Sequence, residues 1–211
     1  MTAEIAPCQF YPTYLPPVQL FAAMTHCENI NWVVDGLYIK QTIRNRCTIL
    51  DANGSLDLVI PVQKANSKQL YRDVKISYQT NWVKQHIRAL ASAYGSSPFY
   101  YYYKDKIENI LLNNYNFLID LNLASSDMLF NIYKLKPTQS QIDQIAIELS
   151  INTFINPAQQ KQEERKELIA MAATQQKYQQ VFAPKFGFVT GLSIIDMLFN
   201  TDIKPYSQKV C

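Results

Sequence analysis

The apolar pattern of this chain changes period near Tyr78, and that change does most to limit what it can fold into. Before it, short apolar runs alternate with turn signals. Ile5 to Phe10, Ile30 to Ile39 and Arg46 to Asp51 read as strands, with Pro7 suiting an edge or a first position. Asp51-Ala-Asn53-Gly54 reads as a tight turn into Ser55 to Val62, because Asn-Gly supplies positive φ at little cost, so a β-hairpin is expected. Val74 to Tyr78 supplies one more strand. One early helix starts at Pro16-Pro17, runs through Val18, Phe21, Ala22 and Met24, and exits near Cys27.

After Tyr78 the period is helical. Asn81 or Thr80 precedes a helix through Trp82, His86, Leu90 and Tyr94 that Gly95 closes. Phe99 to Leu112 is the next, and it carries four consecutive tyrosines, Tyr100 to Tyr103. Successive helical residues lie about 100° apart, so one or two of these rings must face a cleft, a partner or solvent. Tyr115 to Leu135 forms another helix, stopped by Lys136-Pro137. Thr138 to Gln141 reads as a turn or capping segment, and Ile145, Ile147 and Leu149 alternate with polar neighbours as in a strand. The 157–180 stretch, rich in Gln, Lys, Glu and Ala, is either an exposed helix or a mobile insertion. Ser193 N-caps a last amphipathic helix ending near Asn200, and 204–211 is a loose tail. The pattern predicts an α+β (mixed) fold in a single compact domain over 1–211. A small N-terminal sheet with the hairpin and one early helix is followed by a mostly helical half.

Composition removes several function classes. A net charge of +3 over 211 residues is too small and dispersed for a nucleic-acid binder, so no nucleic acid is expected as partner. No run approaches the roughly 18 apolar residues that a membrane span needs. The start Met1-Thr-Ala-Glu-Ile5 has neither a basic segment nor an apolar signal core, which predicts a cytoplasmic protein. Cys8, Cys27, Cys47 and Cys211 include no Cys-x-x-Cys pair and no His at ligand spacing, so neither a metal site nor a redox couple is expected and all four read as free thiols. Five glycines build no phosphate-cradling loop, and no Gly-x-Ser-x-Gly or Cys-His signature supports a covalent acyl-enzyme, so no cofactor is expected.

The densest chemistry lies in Tyr38-Ile-Lys40 and Arg44-Asn45-Arg46. Guanidinium groups grip phosphate or carboxylate through paired hydrogen bonds, and on a strand Arg44 and Arg46 share a face. A solvated basic loop would read the same. His86 follows Trp82 by one helical turn, so the indole can wall a pocket around the imidazole. It reads either as a general base or as a hydrogen-bonded structural residue. Asp35, at the end of an apolar strand and before Gly36, either orients an amine or caps a turn. Asp196, three residues after Ser193, reads as the acidic half of a Ser-x-x-Asp cap.

Tyr14-Leu-Pro-Pro17, Asp35-Gly-Leu-Tyr-Ile-Lys40, Arg44-Asn-Arg46, Pro61-Val62, Trp82 with His86, and Leu192-Ser-Ile-Ile-Asp196-Met-Leu-Phe-Asn200 occur in this order. Together they resemble the WbqC-like family, over about residues 5–200. The resemblance implies an enzyme of bacterial surface-polysaccharide assembly, suggested to be a glycine transferase of lipopolysaccharide biosynthesis. The chain departs from the family pattern in places. A leading Gln is missing before Pro12-Thr-Tyr-Leu-Pro-Pro17, Val34-Asp35-Gly-Leu-Tyr38 replaces an Asp-Asp-Val-Gln-Tyr, and a Trp between the Tyr-Ile-Lys and Arg-Asn-Arg pieces is absent. A changed acceptor or lost activity is compatible with these departures.

Aminoacyl transfer needs a neutral nucleophile, a group to take its proton, and donors for the oxyanion. On this reading His86 or Asp35 is catalytic. Tyr38, Lys40, Arg44, Asn45, Arg46 and Trp82 bind a nucleotide sugar or another phosphorylated small molecule. The competing reading is a non-catalytic sugar-binding or scaffold protein of the same pathway, using the Tyr100 to Tyr103 surface.

Overall fold

A computed structural model of the chain describes residues 8–64, 69–142 and 176–202, together with Gln162 and Lys166. The strand expected at Ile145 to Leu149, the 204–211 tail, and the 157–180 stretch apart from Gln162, Lys166 and 176–180 lie outside the described residues. Helices and strands mix as an α+β fold. β1 (Cys8–Phe10), α1 (Val18–Thr25) and β2 (Asn29–Val33) open the chain. A hairpin follows, β3 (Arg46–Asp51) and β4 (Gly54–Val59), then a 3-10 turn at Tyr71–Asp73. Three longer helices come next, α2 (Trp82–Tyr94), α3 (Tyr100–Leu112) and α4 (Leu118–Ile132), before β5 (Thr138–Ile142), α5 (Ala183–Phe186) and α6 (Ile194–Asn200).

β1, β2 and β5 form a parallel sheet in the order β1-β2-β5, with Cys8 opposite Ile30 and Asn29 opposite Thr138. Parallel neighbours require crossovers. α1 links β1 to β2, and everything from β3 to α4 intervenes before β5 returns to β2. β5 corrects the turn expected at Thr138 to Gln141. Its residues are almost wholly exposed and polar, so no apolar alternation betrays the strand. The sheet holds it through backbone pairing, through the Trp32 indole N–H donating to Gln139 Oε1 at 2.7 Å, and through the Ser140 hydroxyl donating to Asn31 at 2.5 Å.

The hairpin forms at the expected turn. Gly54 has φ +117°, a conformation that an L side chain resists, and the Asn53 N–H donates to the Asp51 carboxylate at 2.6 Å. Val74 to Tyr78 is not a strand. Val74 and Ile76 are buried, as the alternation requires, but among the described residues the segment makes only single bridges, Ile76 with Val62 and Lys75 with Phe117. Too few residues face any one neighbour to build a ladder.

Two packed centres join the layers. Phe21 of α1 lies 5.8 Å from the Phe130 ring and 4.9 Å from Tyr133, which ties α1 to α4 beneath the sheet residue Trp32. Every residue of α6 is buried, and Phe199 packs on Tyr94 and Tyr100 at 5.1 and 5.2 Å. Among the tyrosine run, Tyr100 and Tyr103 are buried while Tyr101 and Tyr102 are 74% and 71% exposed, which is the division that helical spacing demands.

The four thiols expected to be free are not all free. Cys8 and Cys27 form a disulfide from the start of β1 to the turn after α1, and Cys47 is a buried free thiol. Spacing in sequence could not reveal this. Parallel pairing sets Cys8 beside Ile30, close to the turn that carries Cys27. No helix among the described residues is long and apolar enough to cross a membrane.

Candidate functional site

The chain leaves the carboxyl ends of β1 and β2 as Tyr11-Pro12 and Val34-Asp35-Gly36, and the turn at Tyr71–Asp73 is pinned against the second exit. The Arg72 N–H donates to Val34 O at 3.0 Å and the Tyr71 N–H to Gly36 O at 2.8 Å. Carboxyl edges of parallel strands are where open sheets gather ligands, because the connecting loops diverge there.

Arg44 is buried at this edge. It is only 1% exposed, its guanidinium carbon lies 4.1 Å from the Tyr11 ring centroid and 5.9 Å from that of Tyr71, and Tyr38 stacks on Tyr71 at 6.3 Å. Attraction between the cation and the ring faces offsets part of its desolvation. The amide of Asn122 locks the arrangement by donating to Arg44 O at 2.7 Å, Tyr71 Oη at 2.5 Å and Pro12 O at 3.3 Å, while the Tyr71 hydroxyl donates to Pro12 O at 2.6 Å. Burial pushes the Tyr38 hydroxyl up to about 12, against the opposing pull of Arg44 and Arg46. The Tyr71 hydroxyl is raised further for the same reason. Both phenols are neutral at ordinary pH, and the Tyr71 hydroxyl is the one that donates, to Pro12 O.

Beside this box a cleft of about 400 Å³ opens between the exits of β2 and β5, lined by Val34, Arg72, Phe117, Asp120, Leu123 and Gln141. Arg72 brings a permanent cation and Asp120 a carboxylate whose pKa partial burial raises, over a floor of apolar side chains. Opposite charges in one cleft suit a ligand carrying both an anionic and an amine group.

The residues singled out from sequence are spread around this edge. Asp35 is half-buried between Val34 and Gly36, next to the cleft wall, and Lys40 is exposed in the following turn. Arg44 and Arg46 do not share a face, because Gln41 at φ +60° and the turn through Asn45 place Arg44 outside the strand. Arg46 begins β3 and pairs across the hairpin with Asp57 at 3.2 Å, where the Thr48 hydroxyl also donates at 2.7 Å. Asn45 donates through its side chain to Ile60 O at 3.1 Å.

His86 belongs to a separate group. Its ring packs on Trp82 at 5.1 Å, Nδ1 lies 2.9 Å from the Tyr14 hydroxyl, and the Val59 backbone accepts a further hydrogen bond from the ring. At 4% exposure, burial lowers its pKa to about 4, so the imidazole is neutral.

Sequence reasoning missed Asn122, Tyr71, Arg72, Asp120 and Gln141. A single amide on the buried stripe of α4 was the available signal, since a buried polar side chain there must find partners. Asp196 is also corrected. The Ser193 hydroxyl does accept from the Ile195 N–H at 3.4 Å, but the Ser193 N–H goes to Thr48 O at 2.8 Å, so Asp196 does not close a capping box. Its carboxylate instead accepts from Tyr94 at 2.8 Å and Tyr178 at 2.7 Å, and burial raises its pKa. Among the described residues no group of three or more His, Cys, Asp or Glu side chains gathers to hold a metal.

Fold and site together define an α+β protein with a charged cleft at the carboxyl edge of a small parallel sheet. The model of the WbqC-like protein family matches residues 11–165, and the chain belongs to that family. The matched span includes the aromatic box and every cleft residue, whereas Leu192 to Asn200 lies beyond it. No curated protein and no solved structure matches the chain.

Proposed function

We propose that this chain is a transferase of bacterial surface-polysaccharide biosynthesis, working in the cytoplasm and passing a glycyl or similar aminoacyl group to the amine of an amino sugar or nucleotide sugar. Family membership supports the pathway. The single observation that carries the chemistry is that Arg72 and Asp120 line one cleft, whose wall residue Val34 immediately precedes Asp35. Arg72 takes the phosphate or carboxylate of a substrate through its planar fork. Asp120 or Asp35 holds the amine and accepts its proton as nitrogen attacks the acyl carbon and the leaving group departs. Arg44, fixed between Tyr11 and Tyr71 and flanked by Tyr38, backs the same edge with positive potential, and exposed Lys40 adds to the attraction of anions. Neutral His86 with Trp82, Asn45 in the turn before the hairpin and Arg46 at its start hold the surrounding framework.

A non-catalytic sugar-binding protein of the same pathway is the second reading, and the exposed rings of Tyr101 and Tyr102 favour it. One experiment separates the two. Purified protein is incubated with amino-sugar nucleotides and an activated glycyl thioester, with mass spectrometry of the sugar and calorimetry of each component. A glycylated sugar that disappears in Arg72→Ala and Asp120→Asn, at unchanged melting temperature, supports the transferase. Sugar binding that survives both substitutions but is lost in Tyr101→Ala/Tyr102→Ala, with no product, supports the binding protein. Absence of both product and binding overturns both.

A further inference from the structure

We propose that Cys27 is a site of mixed-disulfide formation, at which a small thiol of the glutathione class opens the Cys8–Cys27 bond. Cys27 sits in the turn after α1, its N–H donating to Met24 O at 3.1 Å, and is only half-buried. It also lines a second cleft, of about 220 Å³, with Thr25, Glu28, Leu135, Lys136 and Pro137. Cys8 is half-buried as well but does not line that cleft, so a thiolate held in the cleft meets the Cys27 sulfur first. Exposed Lys136 attracts the anion, and together with Glu28 it offers counter-charges to a tripeptide bearing carboxylates and an ammonium.

The exchange balances without an oxidant. The thiolate sulfur bonds to Cys27 Sγ, the Cys27–Cys8 bond breaks, and its electron pair leaves on Cys8 Sγ, which takes a proton from water. The step reverses when the Cys8 thiolate attacks Cys27 Sγ, re-forms the Cys8–Cys27 bond and expels the small thiol. Such exchange reconciles a disulfide with the reducing compartment proposed above, where persistent structural disulfides are rare.

The consequence runs along β1. Cys8 begins a strand of three residues that pairs, among the described residues, with β2 alone, and Tyr11 lies directly beyond its end under the Arg44 guanidinium. Opening the bond removes a covalent anchor from that strand and loosens the Tyr11–Arg44 contact. This last link rests on the cleft being the working site; the modification at Cys27 does not.

The test treats the protein, purified without reductant, with reduced glutathione at millimolar concentration, followed by acid quench, alkylation and peptide mass spectrometry. Expected are a glutathione adduct on Cys27, an alkylated Cys8 and an unmodified, buried Cys47. Lys136→Glu should slow adduct formation several-fold at unchanged melting temperature. An adduct on Cys8 in place of Cys27, no adduct at either, or both thiols already alkylatable before treatment would overturn the proposal. Anion binding at the cleft, read by calorimetry with inorganic phosphate on the same samples, tests the link. Equal affinity before and after modification removes the coupling to the cleft and leaves the site at Cys27 standing.

Discussion

The Arg44 guanidinium carbon lies 4.1 Å from the centroid of the Tyr11 ring, inside a box closed by Tyr71 and anchored by Asn122. A guanidinium this deeply buried costs several kcal/mol to desolvate unless ring faces and oxygens surround it, so the box and the cation stabilise each other only as a unit.

Arg44→Ala should therefore destabilise the fold by about 2–4 kcal/mol, since it removes the cation and leaves a void among aromatic rings. Arg44→Lys should recover only part of that loss, because a point-charge ammonium lacks the planar face that stacks on Tyr11. Urea denaturation of the three proteins measures both.

Asn122→Ala should cost about 2–3 kcal/mol, because Pro12 O and Arg44 O then lose a donor inside the core. Asn122→Leu should fare no better, since it supplies bulk but no N–H. If the box positions the cleft wall, the same variants weaken phosphate binding by calorimetry, a readout that lost stability alone would not move at temperatures well below the transition.

His86 makes a pH-dependent contribution whose sign follows from its lowered pKa. Between its folded value of about 4 and the ordinary value near 6.5, the unfolded chain binds a proton that the fold refuses. This contribution is thus complete above about pH 6.5 and is lost as pH falls toward 4, by at most about 3 kcal/mol. Asp196 acts in the opposite sense, since its raised pKa makes stability fall as pH rises through that value. Chemical denaturation from pH 4 to 7 should show a positive slope that flattens in His86→Gln and steepens in Asp196→Asn.

Tyr178→Phe should loosen the segment between Tyr178 and Val189 without unfolding the core. The Tyr178 hydroxyl reaches Asp196 Oδ2 at 2.7 Å, and Gln180 clasps Val189 through both its N–H and its C=O. Amide hydrogen exchange should rise at Val189 while amides of α6 stay protected. Faster exchange throughout α6 would show instead that the clasp is part of the cooperative core.

Cys8→Ser should lower the melting temperature by roughly 5–10 °C under non-reducing conditions, by releasing the constraint that the disulfide places on the unfolded chain. With excess dithiothreitol the difference from the unsubstituted protein should vanish. A calorimetric scan in each buffer reads this directly.

Local signals in the sequence were enough for much of the fold. Helical spacing in Trp82 to Tyr94 and Tyr100 to Leu112, the Asn53-Gly54 turn, and the Ser193 cap were each legible because the energy that decides them comes from residues within a few positions of one another. Strand β5 was illegible for the converse reason. Thr138 to Ile142 carries no apolar alternation and exists because β2 presents an unpaired edge more than a hundred residues earlier in the chain.

The site divides in the same way. Residue types alone named the cation-rich turn around Arg44 and the Trp82–His86 pair, because burying or clustering such side chains needs a chemical reason wherever they fall. Which cations face which partners was a tertiary matter. A left-handed Gln41 sends Arg44 into an aromatic box and leaves Arg46 to Asp57, while chain crossing brings Arg72, Asp120 and Gln141 to one cleft and Cys8 to Cys27. Short-range propensity settles what a segment becomes; only the packing of distant segments, which no local pattern encodes, settles what it meets.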